Sequence, residues 1–299
     1  MNKNKGVFLA FLTAIISGFA VFFNKFAMSF WTNSSVFTTA KNLIAVLFLV
    51  SLLLLLGKIK DLKKLSKKQW FQLIVIGFVG GSIPFLLFFK GLSLSSSISA
   101  TFVHKTLFVW VALMAVFFLK EKISSLQFLA IGVLFAGVYL FADPFRLHLG
   151  YAELLIFLAT LLWAIENVIA KKILKDLSSL TVAWARMFFG SMFLLAFLVF
   201  SGGMGALAVS SWSQIGWLFF SGLLLFGYVI TWYSALKRAP ATVVTSILVL
   251  AVPITALLNN KVLILPTALM VFGVFLICGL FKKLKIINSF KIKNLKLKI

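Results

Sequence analysis

Across 299 residues the chain is 62% hydrophobic and 12% charged, with a mean hydropathy of +1.12. A soluble domain carries about 25% charged residues, so this composition excludes one and describes a protein that crosses a membrane several times. The net charge of +23 would suit nucleic acid, but the lysines lie in short segments between apolar spans, which assigns the basicity to membrane topology.

The N-terminus, MNKNKGVFLAFLTAIISGFA, imitates a secretory signal with its basic start, apolar run and small residues. The run continues through Val21 to Phe23 and has a counterpart later in the chain, so it reads as the first membrane span. Apolar windows predict ten spans, at residues 6–24, 36–56, 70–89, 97–119, 126–142, 151–170, 179–200, 214–235, 241–260 and 266–281. The last two meet at a crowded join of Asn259, Asn260 and Lys261, and Pro266 beyond it suits a helix's first turn, where its missing donor does no harm.

The fourth span carries His104 and Lys105 about a third of the way into a hydrocarbon core that takes about 20 helical residues to cross. An ionisable group there costs ~2.5–3.5 kcal/mol on insertion scales and normally faces a bundle interior or a wet cavity. Two plainer readings stand beside that one. Lys105 can snorkel its ammonium to the interface, and His104 can hydrogen-bond a neighbouring helix.

Counted on alternate sides of the spans, 22 Lys and Arg residues fall on the side of the termini and four, Lys25, Lys90, Arg146 and Lys261, on the other. The positive-inside rule then places both termini in the cytoplasm of a multi-pass cell-membrane protein. The tail, residues 282–299, interleaves lysines with Leu, Ile and Phe, so it either lies on anionic lipid or stays solvated. The single cysteine, Cys278, leaves the redox compartment unreadable, and no Cys/His metal spacing occurs.

Lys41, Lys105 and Arg186 are the basic residues inside spans, and Glu166 is the acid deep within one. Span six runs inward and span seven outward, which brings Glu166 and Arg186 to the same inner depth, where they can pair. Lys41 and Lys105 share the outer half without an acid at their depth. They are neutral, snorkelled, or face an aqueous cavity that receives an anionic group, the reading favoured for Lys105. Trp110, Trp163, Trp232 and Tyr233 lie within spans as cavity or packing residues, with Trp163 the strongest candidate. Trp31, Trp70, Trp212 and Trp217 flank spans as interfacial belts. Gly77, Gly80, Gly81, Gly132 and Gly137 read as close helix contacts. The candidate substrate-binding set is therefore Lys41, His104, Lys105, Trp163, Glu166 and Arg186.

Sliding the chain on itself by about 145 residues exposes a repeat. Phe23-Asn24-Lys25 aligns with Ile169-Ala170-Lys171, TTAKNL with AWARMF, and Phe88 to Leu92 with Trp232 to Leu236. Five spans per half is an odd number, so the halves enter the membrane from opposite sides. The predicted fold is an all-α membrane protein with ten transmembrane helices in two inverted five-helix repeats, residues 1–145 and 146–281. Inverted repeats are an architecture of secondary transporters.

The ten spans, the Lys closing the first span of each half, and VALMAVFFLKEKISSLQFLAIGVLFAGVYL across spans four and five resemble the EamA-type branch of the drug/metabolite transporter superfamily. The likeness covers residues 6–281 and is most specific around Lys120-Glu121-Lys122, Gly132 and Gly137. It implies a cell-membrane carrier or exporter of small metabolites such as amino acids, working by alternating access. The chain departs from the family pattern in having Lys41 for an arginine, no proline near Phe108 or Val109 where Pro253 has the matching place in span nine, and no second-half acid matching Glu121.

The leading functional reading is a secondary transporter of small metabolites with a carboxylate or other anionic group, its partners being that solute and membrane lipids, with no nucleic acid and no cofactor. Lipid or lipid-phosphate translocation is the alternative within transport. A non-transporting assembly subunit is the alternative outside it. Two histidines, His104 and the loop residue His148, with no nucleophile-base arrangement, argue against an enzyme, and no GxxxxGK[ST] signature marks an ATP-driven pump.

Overall fold

The structure, a computed structural model, describes residues 2–31, 33–95, 97–142, 150–209 and 211–279. Arg146, His148 and the basic tail lie outside the described residues. Fourteen α-helices and no strand are present among the described residues. They are α1 (Lys3–Met28), α2 (Ser34–Leu55), α3 (Ile59–Leu62), α4 (Lys67–Gly81), α5 (Ile83–Leu94), α6 (Ser97–Lys105), α7 (Leu107–Leu119), α8 (Ser125–Phe141), α9 (Tyr151–Ile173), α10 (Ser179–Phe200), α11 (Trp212–Arg238), α12 (Ala241–Ile247), α13 (Ala251–Leu258) and α14 (Ile264–Ile277). Eight helical stretches are long and apolar enough to cross a membrane. The shorter apolar helices α8 and α14 stand where spans five and ten were expected.

Polar residues start the helices. Ser66 with Gln69 and Ser124 with Gln127 form reciprocal capping boxes on α4 and α8, and Ser178 and Ser211 cap α10 and α11. The outer surface is apolar: Leu55, Phe117, Phe128 and Phe200 are all exposed, while Thr13, Thr38, Asn42 and Ser191 are buried. Large apolar side chains facing outward are stable only where the solvent is lipid, so the chain is a multi-pass membrane protein.

Three expected spans are interrupted, each for a local reason. Span three divides into α4 and α5 because Pro84 has no N–H for the Gly80 carbonyl, and its ring crowds that oxygen. Span four divides at Thr106, whose hydroxyl bonds back to the Val103 carbonyl at 2.7 Å and also accepts the Trp110 indole N–H at 3.1 Å. Span nine divides into α12, a 3-10 turn at Leu248–Leu250 and α13. Pro253 sits four residues after Val249 and cannot donate to its carbonyl.

The packing is paired between the halves. α1 lies along α11 as α9 lies along α4 and α5; α4 packs on α10 as α11 packs on α2; α7 packs on α9 as α13 packs on α1; α8 packs on α14. The lysine-rich segments 58–68 and 171–175 share the end of the bundle at which α1 begins, its basic end. Small residues permit the tightest crossings. A Cβ on Gly190 would lie 2.6 Å from the Gly81 carbonyl carbon, and one on Gly137 would lie 2.8 Å from Met270 Cγ. Gly132 differs from the expectation: nothing lies within 4 Å of where its Cβ would be. Gly190→Leu should therefore separate α4 from α10 at a cost of about 1–3 kcal/mol or more, whereas Gly132→Leu should change stability by less than about 0.5 kcal/mol, read as thermal unfolding of the detergent-solubilised protein.

Candidate functional site

A cavity of about 130 Å³ opens between the halves, walled by α1, α2, α5, α6 and the start of α7 from the first and α9, α10 and α11 from the second. Five of the six candidate residues, Lys41, His104, Trp163, Glu166 and Arg186, line it. Lys105 is absent from the wall. It ends α6 at the break before Thr106, is 4% exposed, and its Nζ has no hydrogen-bond partner.

Lys41 lies seven residues inside α2 and is 2% exposed. Its Nζ sits over three rings, 4.4 Å from the centroid of Phe89, 5.1 Å from Phe37 and 5.9 Å from Phe85. The ring faces attract a cation, yet no carboxylate pairs with this amine among the described residues. Phe85 also lies beneath Arg186, whose guanidinium carbon is 5.4 Å from the centroid. One ring thus touches both basic residues of the wall.

Glu166 and Arg186 meet at Gly80, which has no side chain to keep them apart. A Cβ there would collide with Glu166 Cγ and lie 3.2 Å from Arg186 Nε. The two side chains flank Gly80 without the direct salt bridge that pairing would make. The Tyr233 hydroxyl donates to Glu166 Oε1 at 2.5 Å. Arg186 Nε has no partner.

Trp163 connects this pair to the rest of the wall. Its indole N–H donates at 3.0 Å to the Gly80 carbonyl, the one Pro84 leaves without a donor. Its ring meets Phe85 and Phe88 at 5.5 Å and His104 at 5.0 Å. Asn167, next to Glu166, donates to the Trp163 carbonyl at 2.8 Å and accepts the Trp232 indole at 3.0 Å.

Several wall residues were not singled out from sequence: Asn24, Asn167, Ser221 and Tyr228. Asn24 and Asn167 carried a signal as amides within apolar spans, whereas Ser221 is unremarkable in composition. Asn24 Oδ1, His104 Nδ1 and Ser221 Oγ are buried without partners, a costly arrangement unless water or solute supplies one. Of the other aromatics, Trp232 lines the cavity, Tyr233 acts behind it through Glu166, and Trp110 is spent on Thr106. Among the expected belt residues, Trp212 is 87% exposed while Trp31 is buried. Because each charge of the inner pair leaves the other uncompensated when removed, Glu166→Gln and Arg186→Met should be non-additive. Their double variant should retain about 1–3 kcal/mol more stability than the summed single losses, measured as a thermal double-mutant cycle.

Comparison with known proteins places this geometry. The chain is 24% identical over 260 residues to an uncharacterized transporter, YyaM, of Bacillus subtilis, covering 82% of this chain and 83% of that one. It is 26% identical over 213 residues to an uncharacterized transporter of Archaeoglobus fulgidus, covering 68% and 73%. A solved structure titled only as the crystal structure of a protein shares the fold at a TM-score of 0.70 and 14% identity, over 92% of this chain and 98% of that one. The model of the EamA-like transporter family matches twice, at residues 4–142 and 150–281. The chain is a member of the EamA-like transporter family, and thus of a family of membrane transporters.

Proposed function

We propose that this protein is a secondary carrier that moves a small organic metabolite bearing a carboxylate or other anionic group, amino-acid-like solutes included, by alternating access through the cavity. The observation that carries this reading is Lys41, a wall amine cradled by three phenylalanine rings and lacking a carboxylate, whereas Arg186 already has Glu166 beside it. An entering anion gives the Lys41 ammonium the counter-charge that the empty cavity lacks, in a site where water competes weakly. Glu166 offers its second oxygen to an ammonium or hydroxyl of the same solute, and Asn24 and Ser221 gain hydrogen-bond partners. The rings of Phe88, Trp163 and Tyr228 take the apolar body.

The same reading takes residues 1–145 and 146–281 as inverted repeats of five crossings each. It is supported by the two family matches, by the paired packing, and by helix breaks at matching places in spans four and nine. The 22-to-4 bias of basic residues supports cytoplasmic termini, with the tail, residues 282–299, on the same side of the cell membrane. Lys105 ends α6 at the helix break and is not part of the cavity wall, so this scheme gives the anion-binding role to Lys41.

The test is uptake of a mixed metabolite pool by proteoliposomes, with accumulated solutes identified by mass spectrometry. Accumulation no greater than in empty vesicles would remove the reading and favour an assembly role. With a solute in hand, Lys41→Met should weaken its apparent affinity about ten- to a hundredfold, the worth of one charge-assisted hydrogen bond. Lys105→Met should leave that affinity unchanged and raise thermal stability, because it deletes a buried group that nothing pairs. Unchanged affinity in the Lys41 variant, with loss in the Lys105 variant, would reverse the two roles.

A further inference from the structure

We infer that Glu121 and Lys171 form a lock that holds the basic end of the bundle shut, so that this conformation admits solute from the opposite end. Glu121 follows α7 directly, after Lys120 turns the chain through the left-handed region at φ 56°. Its carboxylate crosses to the other half. Oε1 accepts the Ala241 N–H at 2.7 Å, and Oε2 accepts the Thr242 N–H at 3.2 Å and the Thr242 hydroxyl at 2.9 Å. Helix α12 begins after Pro240 with no capping side chain of its own. Its first N–H groups are therefore satisfied by an acid more than a hundred residues away in sequence, and the negative charge suits a helix start.

Lys171 grips the other side of the same corner. Its ammonium donates to the Leu236 carbonyl and, at 2.6 Å, to the Ala239 carbonyl, where α11 ends. The α11–α12 corner is thus held at its N–H groups by Glu121 and at its carbonyls by Lys171.

The paths of the broken spans show what the lock secures. All four pieces pack on α9 or α1, but at the basic end α7 also packs against α12, whereas beyond the breaks α6 and α13 have no comparable contact among the described residues. Spans four and nine therefore converge at the basic end and part toward the other, with Glu121 at the vertex. Among the described residues no hydrogen bond like those of Glu121 joins these two spans at the opposite end. There Asn260, at φ 55° the other non-glycine residue in the left-handed region among the described residues, is followed by exposed Lys261, whose side chain has no acceptor to offer a helix start. Glu153 does accept the Ser95 hydroxyl at that end, but this joins α9 to the α5–α6 connection, which is already packed on α9. Opening the basic end requires the α7–α8 corner to leave α12, giving up all three bonds to one carboxylate.

The lock goes beyond the transport reading, since it states which end is closed whatever the solute. It is tested in a Cys278→Ser background with Ala20→Cys as reporter, Ala20 being a small cavity-wall residue. A membrane-impermeant thiol reagent is applied to either face of oriented vesicles. With the lock intact, labelling should occur from the face opposite the basic end. Glu121→Gln, which keeps size but removes charge and one acceptor, and Lys171→Met should each raise labelling from the basic face about tenfold. Thr242→Val should raise it less, because one of the three bonds is lost. Hydrogen exchange at Ala241 and Thr242, followed by mass spectrometry over residues 239–247, should quicken in the Glu121 variant. Should Glu121→Gln not fold, Lys171→Met and Thr242→Val carry the same measurement. Equal labelling from both faces in the intact protein, or an unchanged ratio in folded variants, overturns the proposal. Switched labelling without uptake of any solute would leave the lock standing and remove the transport reading.

Discussion

A carbonyl released by proline inside hydrocarbon has no water to turn to and must find a donor within the protein. In this chain Pro84 releases the carbonyl of Gly80, and the indole of Trp163 supplies the donor. That bond draws α9 onto the α4–α5 break and brings Glu166, one turn further along α9, against the bare backbone of Gly80 beside Arg186. The same break turns Phe85 and Phe88 toward the cavity, where they meet Trp163 and, through Phe85, both basic side chains. A backbone defect in one half thus organises the polar wall contributed by the other.

Charge burial follows the same logic of local compensation. Glu166 has Tyr233 and Arg186, Glu121 has the start of α12, and Lys171 has the end of α11. Lys41 has ring faces and, among the described residues, no carboxylate, which is why the proposed function gives it the anion. Ring faces hold a cation without neutralising it, whereas the ammonium of Lys171 donates to two carbonyls.

Much of the site was legible in outline. Depth along each predicted span put Glu166 and Arg186 at one level, and hydropathy marked Lys41 and Lys105 as buried. Rotation about the helix axis was not legible. Lys105 and His104 are about 100° apart around one helix, and which of them meets the cavity depends on how α6 leans on α9. Continuity of the helices was equally hidden. A hydropathy window scores Ser82, Thr106 and the Leu248–Leu250 turn as ordinary members of apolar runs, although Pro84 and Pro253 signalled two of the three breaks in retrospect.

By itself the sequence determined the solvent, the order of apolar segments, and the presence of few ionisable groups in hydrocarbon. These depend on composition and spacing, which act residue by residue. Tertiary structure decided which polar groups share a space: that Gly80 admits Glu166 and Arg186 together, that Ser221 and Asn24 face a cavity, and that Glu121 reaches α12 across 120 residues of chain. Such meetings depend on helix rotation and crossing, which are set by packing between segments distant in sequence, and no local pattern encodes them.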